Sequence, residues 1–125
     1  MMKFDFEVIY AEVYHPYWSI NLAHADELEI SPCEIKVIEK TKYFNKNLLD
    51  KNVYFNEISE IVRKMWGSFA ILKWYIQEPQ VLRRKRVFVI KVKIQSRFAK
   101  LLRKLEREVS CFKSGAYDEI KIEIV

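Results

Sequence analysis

His15, His24 and Cys33 are the side chains best suited to nucleophilic chemistry. A thiol attacks as its thiolate, and a neighbouring imidazole can take the proton. Such a pair needs the fold to bring the two groups together, because sequence order does not. The histidines stand nine residues apart with Pro16 between them. That is not the spacing that aims two rings at one metal from a single helix. Cys33 and Cys111 lack the Cys-x-x-Cys spacing of a metal or redox site and are expected as buried free thiols. Two glycines cannot build a phosphate-cradling loop, and there is no nucleophile elbow. No catalytic residue, metal ligand or cofactor is assigned, and a non-enzymatic role is expected.

Binding chemistry is better represented. Tyr14, His15, Tyr17 and Trp18 crowd one short stretch, and His15, Tyr17 and Trp18 are the candidate contacts for a small ligand. Tyr and Trp join an apolar body to a polar handle, which suits small-molecule pockets. Trp66 and Trp74 are expected in the core. The second candidate is the run Arg83, Arg84, Lys85 and Arg86, joined by Lys100, Arg103 and Arg107 as phosphate contacts in a nucleic-acid-binding alternative. Residues 79–113 hold 12 Lys/Arg against 2 Asp/Glu, whereas the whole chain is only +5. The basic character is therefore local.

The elements must decide whether those cations share a surface. With 125 residues, half of them hydrophobic and only 2 Gly and 3 Pro, the chain is expected to form one domain over 1–125. No apolar run approaches the roughly 20 residues of a membrane span, and the opening residues do not read as a signal peptide. No membrane association and a cytoplasmic location are expected.

Alternation predicts a first strand over 3–14, with Phe4, Phe6, Val8 and Tyr10 on one face. A short helix carrying Trp18, Leu22 and Ala25 follows, then a strand over 33–44. Ile58, Ile61, Val62, Met65 and Trp66 recur at helical spacing, with Asn56 as N-cap and Gly67 just past the end. The apolar, β-rich stretch 68–77 predicts a central strand. Residues 87–94 alternate, with Phe88, Ile90, Val92 and Ile94 inward and Lys91 and Lys93 outward. Ser96 opens a helix whose stripe is Phe98, Leu101, Leu102, Leu105 and Val109, and a last strand covers 118–125. This order predicts an α+β fold of the ferredoxin-like βαββαβ kind: an antiparallel sheet, helices on one face, an extra N-terminal strand and a short extra helix. On that fold the helix cations and Lys91/Lys93 lie on opposite sides of the sheet. The mixed sheet face is expected to meet a second copy of the chain.

Two stretches, "AEVYHPYWSINLA" over 11–23 and "RVFVIKVKIQSRFAKLLRKLEREVSCFKSGAYDEIKIEIV" over 86–125, carry a resemblance. They resemble the N-terminal domain of archaeal helix-turn-helix regulators of the bacterio-opsin-activator type, in which a His and a Trp follow the opening strand. The resemblance implies a sensory or regulatory domain of a transcription regulator that binds a small ligand or dimerises. It implies DNA contact only through a helix-turn-helix domain absent from this chain. Of named positions it carries over only His15 and Trp18.

Overall fold

The computed structural model describes residues 1–13, 22–44, 46–94 and 98–125. Five strands form one sheet in the order β1-β2-β3-β4-β5: β1 Met2–Asp5, β2 Glu27–Ile30, β3 Glu34–Phe44, β4 Lys85–Ile94 and β5 Glu119–Ile124. The first three pair antiparallel, and β3, β4 and β5 run parallel. The α+β class stands, but the sheet is mixed rather than the antiparallel ferredoxin-like sheet expected. Parallel neighbours need crossover connections, and two helical crossovers supply them. One holds α2 Lys51–Tyr75 and the short α3 Pro79–Leu82; the other holds α4 Ala99–Ser110.

Three expected elements change. The first strand stops at Asp5, whose carboxylate accepts the Glu7 N–H at 2.8 Å. Helix α1, Phe6–Val13, begins there. A strand would bury Phe6 and Val8 together. The helix buries Phe6 and Ile9, three apart, and leaves Val8 exposed. Of the expected short helix, residues 14–21 lie outside the described residues, while 22–26 are not helical and lead into the unforeseen strand β2.

The third change is the largest. Asp50, not Asn56, caps α2, accepting from the N–H groups of Asn52 and Val53 at 2.8 and 3.2 Å. The helix then runs 25 residues, straight through Gly67 and over the expected strand 68–77. Met65, Ser68, Ile71 and Leu72 continue the buried stripe of Ile58 and Ile61 at helical spacing. That packing overrides the β preference of the segment's aromatic and branched residues. Gly67 is there for proximity rather than termination. A Cβ on it would sit 1.7 Å from the Ala23 carbonyl oxygen.

Helices α1, α2 and α4 bury side chains against one face of the sheet, and α3 packs Val81 and Leu82, half-buried, against the same core. Phe6, Ile61, Leu72, Leu102 and Leu105 share a core with Leu28, Ile35, Val37, Phe88, Ile90 and Ile122. Val92 faces this core while Lys91 and Lys93 face away, as the alternation in β4 requires. The opposite face holds a separate trio, Ile38, Val87 and Val89, only 1–2% exposed. Their register neighbours Lys36, Glu119 and Lys121 have stems long enough to roof them. Around them run the pairs Lys3–Glu29 at 3.6 Å, Lys36–Glu34 at 3.5 Å, Lys85–Glu119 at 2.8 Å and Lys40–Glu27. This face presents paired charge rather than the half-apolar surface expected to meet a second copy.

Replacing Gly67 by Ala should destabilise the chain by about 3 kcal/mol, the upper end for overpacking. Helix propensity alone would make the same change favourable by about 1 kcal/mol. Urea unfolding of Gly67→Ala decides between them, and a stabilised variant would mean that α2 does not touch the 22–26 segment.

Candidate nucleic-acid interface

Of the side chains suited to nucleophilic chemistry, His24 and Cys33 are described and are not brought together. His24 precedes β2 and Cys33 follows it, so the strand separates thiol from imidazole. Both cysteines are free, but both are exposed rather than buried. His24 has a structural setting: Nδ1 lies 2.8 Å from the Ala25 carbonyl, and the ring stacks on Phe6 with centroids 6.1 Å apart. His15, Tyr17 and Trp18, the expected ligand contacts, lie outside the described residues. Among the described residues no group of three His, Cys, Asp or Glu side chains is placed to hold a metal, and no helix is long and apolar enough to cross a membrane.

The run 83–86 is mostly consumed by the fold. Arg86 Nε donates to the Ala116 carbonyl at 2.6 Å, and its terminal nitrogens reach the carbonyls of Leu82 and Gly115. The guanidinium lies 5.2 Å from the centre of the Phe69 ring. Its backbone is fastened to Asp118, whose carboxylate accepts the Arg86 N–H at 2.8 Å. Arg84 donates to the Ser31 carbonyl at 2.9 Å, and Lys85 is paired with Glu119 on the far sheet face. Holding the half-buried guanidinium fork among carbonyls gives Arg86 a structural role, a setting that the expectation of a phosphate contact did not include. Only Arg83 of the four is exposed with no ion pair among the described residues.

Helix α4 behaves differently. Leu102, Leu105 and Val109 are buried, and Lys100, Arg103, Lys104 and Arg107 are exposed. Its two acids are held by structural bonds. Glu106 Oε2 accepts the Ile122 N–H at 2.9 Å, and Glu108 Oε2 accepts the Tyr54 hydroxyl at 2.9 Å. Arg103–Glu106 at 3.3 Å and Lys104–Glu108 at 3.9 Å are exposed pairs of the kind that contribute little. Lys100 and Arg107 have no carboxylate at ion-pair distance among the described residues. Tyr54 is held protonated, its hydroxyl pushed above the usual range by burial and then by the Glu108 bond.

Beside α4 runs a stripe on α2 that the core uses only in part: Val62 and Phe69 pack half-buried against it, while Phe55 and Trp66 stay exposed. Positions 55, 59, 62, 66, 69 and 73 share one side of a helix, and here they are Phe, Ser, Val, Trp, Phe and Lys, with no acid. Trp66 and Trp74, expected in the core, are 43% and 60% exposed; Phe55 is 63% exposed. Trp66 Nε1 donates to the Phe112 carbonyl just past α4, at 3.1 Å, and the Phe112 side chain is itself 48% exposed. At the other end Lys104 Nζ lies 5.1 Å from the centre of the Tyr54 ring, which meets Phe55 edge-on. Cations and exposed aromatic rings thus share the outer side of the helical layer. Phe55 and Phe112 were not singled out from sequence. Val62 and Trp66 already lie on the expected helix; Phe55 joins the stripe only because the cap is Asp50 rather than Asn56, and Phe69 only because the helix continues beyond Gly67.

A second polar site lies on the other flank of α2. Glu39 is buried beside Lys64, which lies 3.3 Å from Oε1 and 3.2 Å from Oε2, although Oε2 lacks a well-directed hydrogen bond. Burial, reinforced by the neighbouring Asp26 carboxyl and opposed by Lys64, pushes the Glu39 carboxyl up to about 7. Asp26 in turn accepts the Lys40 N–H at 2.7 Å. Near it opens a cleft of about 540 Å³ lined by Asp5, Glu7, His24, Ala25, Asp26, Glu27 and Lys40.

No family model matches the chain, and neither does any curated protein or solved structure.

Two outcomes follow. Arg86→Ala strands several carbonyls and should cost about 3 kcal/mol in urea unfolding; Arg86→Lys, which cannot span the same acceptors, should recover less than half. For Glu39 the folded pKa lies above the ordinary 4.5. Its contribution is therefore fully present below about pH 4.5 and is lost as pH rises through about 7, where the folded carboxyl also ionises. Glu39→Gln should raise the melting temperature more at pH 8 than at pH 4, and equal gains at both would show that the carboxyl is not shifted.

Proposed function

We propose that the chain is a non-enzymatic nucleic-acid-binding module whose contact surface is the outer side of the α2–α4 layer. One observation carries the reading: α4 exposes Lys100, Arg103, Lys104 and Arg107 while both of its acids are engaged in structural bonds. Phosphates attract such a surface without base specificity, and binding releases counterions. The contact set is narrower than the sequence suggested, because Arg84, Lys85 and Arg86 belong to the fold. Lys91 and Lys93 lie on the opposite side of the sheet and take no part.

The measurement is fluorescence anisotropy of labelled RNA and DNA oligonucleotides against salt. Four phosphate contacts on a single strand predict a log–log slope of about −3. Arg103→Ala with Arg107→Ala should weaken binding at least tenfold near 50 mM salt and flatten the slope by about 1.4. Lys91→Glu with Lys93→Glu should change neither. Absence of salt-dependent binding by the unaltered chain at low salt removes the proposal.

The sensory reading from the regulator resemblance keeps one supporting observation. The cleft at His24 to Glu27 adjoins the chain just after residues 14–21, the segment that carries His15, Tyr17 and Trp18. A ligand there would raise the melting temperature by mass action. A metabolite screen by thermal shift, repeated on Trp18→Ala, tests it; a ligand whose shift is unchanged in the variant does not use that segment.

A further inference from the structure

We infer that the α2–α4 face selects single strands over duplex by stacking unpaired bases on Trp66 and Phe112. This rests on the nucleic-acid reading above and names the form of nucleic acid that the surface takes. Trp66 is held before any ligand arrives. Its Nε1 is bonded to the Phe112 carbonyl at 3.1 Å, and its ring meets Phe69 edge-to-face at 6.2 Å. It nevertheless remains 43% exposed, and Phe112 48%. A ring fixed in place loses little side-chain entropy on binding. Stacking on it is open to any base, because every base has a π-face.

Shape keeps the layer out of a duplex groove, so a duplex can meet it only through its phosphates. α2 and α4 lie side by side, joined by the Tyr54–Glu108 and Trp66–Phe112 bonds. Two packed helices with their side chains present a surface about 20 Å across. The major groove, about 12 Å wide, admits one helix and not a pair. Bases inside a duplex are stacked on one another and show only their edges, so the rings on this layer could not reach their faces. A single strand can splay its bases onto the rings while Lys104, Arg107 and Arg103 take phosphates.

The test uses the full chain, one labelled oligonucleotide of mixed sequence, and the same oligonucleotide annealed to its complement. The single strand should bind at least tenfold more tightly than the duplex at equal salt. Trp66→Ala and Phe112→Ala should each weaken single-strand binding by about fivefold to a hundredfold, with duplex binding and the salt slope unchanged. Trp66→Phe should recover most of the loss. Far-UV circular dichroism checks that Trp66→Ala still folds; if it does not, Phe112→Ala carries the test. Single-strand affinity unchanged in a folded Trp66→Ala and in Phe112→Ala overturns the stacking inference. The nucleic-acid reading would then survive if Arg103→Ala with Arg107→Ala still flattened the slope. No binding by any form of the chain removes both.

Discussion

Everything on the helical layer depends on how closely α2 passes the chain that leads into β2. At Gly67 there is no room for a side chain between helix and the Ala23 carbonyl. One residue on, Ser68 Oγ accepts the Ala25 N–H at 2.7 Å, in a site with no access to water. From the sheet side, buried Tyr117 donates its hydroxyl to the Met65 carbonyl at 2.7 Å. The helix is thus gripped on two sides within four residues. An isolated helix would weaken at a glycine by about 1 kcal/mol; here the contacts made around Gly67 offset that loss. Because α2 does not stop there, Phe69 joins Phe55 and Trp66 on one continuous stripe along the aromatic side of the layer.

The distribution of charge follows from that layering. A strand sends neighbouring residues to opposite faces, so Lys91 and Lys93 leave the protein on the side away from the helices. There they join Lys3, Lys36, Lys40 and Lys85 among glutamates, and a face with both signs interleaved has little field to attract a polyanion. On the helical side the two glutamates of α4 are drawn into bonds with Tyr54 and with the β5 backbone. Of the 12 cations in residues 79–113, Lys100, Arg103, Lys104 and Arg107 line the exposed side of α4, whereas Lys91 and Lys93 leave on the other side of the sheet, so the segment does not form one continuous basic groove.

Much of this was legible in sequence, and what was not fails for identifiable reasons. β4 and α4 carry strong, uninterrupted periodicities, so Val92 inward, Lys91 outward and the Leu102–Leu105–Val109 stripe follow from the residues alone. β5 is equally plain for Ile120 and Ile122, whereas Ile124 lies at the strand's end and is exposed. Phe6 fits two elements from sequence: Phe4, Phe6, Val8 and Tyr10 satisfy a two-residue period, while Phe6 and Ile9 satisfy a helical one. The choice was made by Asp5 turning to accept the Glu7 N–H. From sequence Gly67 reads as a terminator, because a glycine after a helical run is the usual C-terminal signal. Its real constraint is Ala23, 44 residues away, which no local window contains. Arg86 looked like part of a basic run for the same reason: its acceptors at residues 115 and 116 become neighbours only through the β4–β5 pairing.

Glu106 connects the sheet's architecture to the surface that remains available. Among the described residues β5 is the last strand, so the outward N–H of Ile122 would sit on an open edge, ready to pair with another chain. Glu106 reaches down from α4 and accepts that N–H. The same carboxylate lies 3.3 Å from Arg103, so one side chain both occupies this edge N–H and tethers one cation. A phosphate that drew Arg103 away would leave the Glu106–Ile122 bond in place, because the Arg103 pair is exposed and weak while the Ile122 bond is partly buried. The Ile122 N–H therefore stays paired while the cations of α4 remain free to exchange partners. Binding capacity is left on the helical layer, where the aromatic rings of α2 already stand.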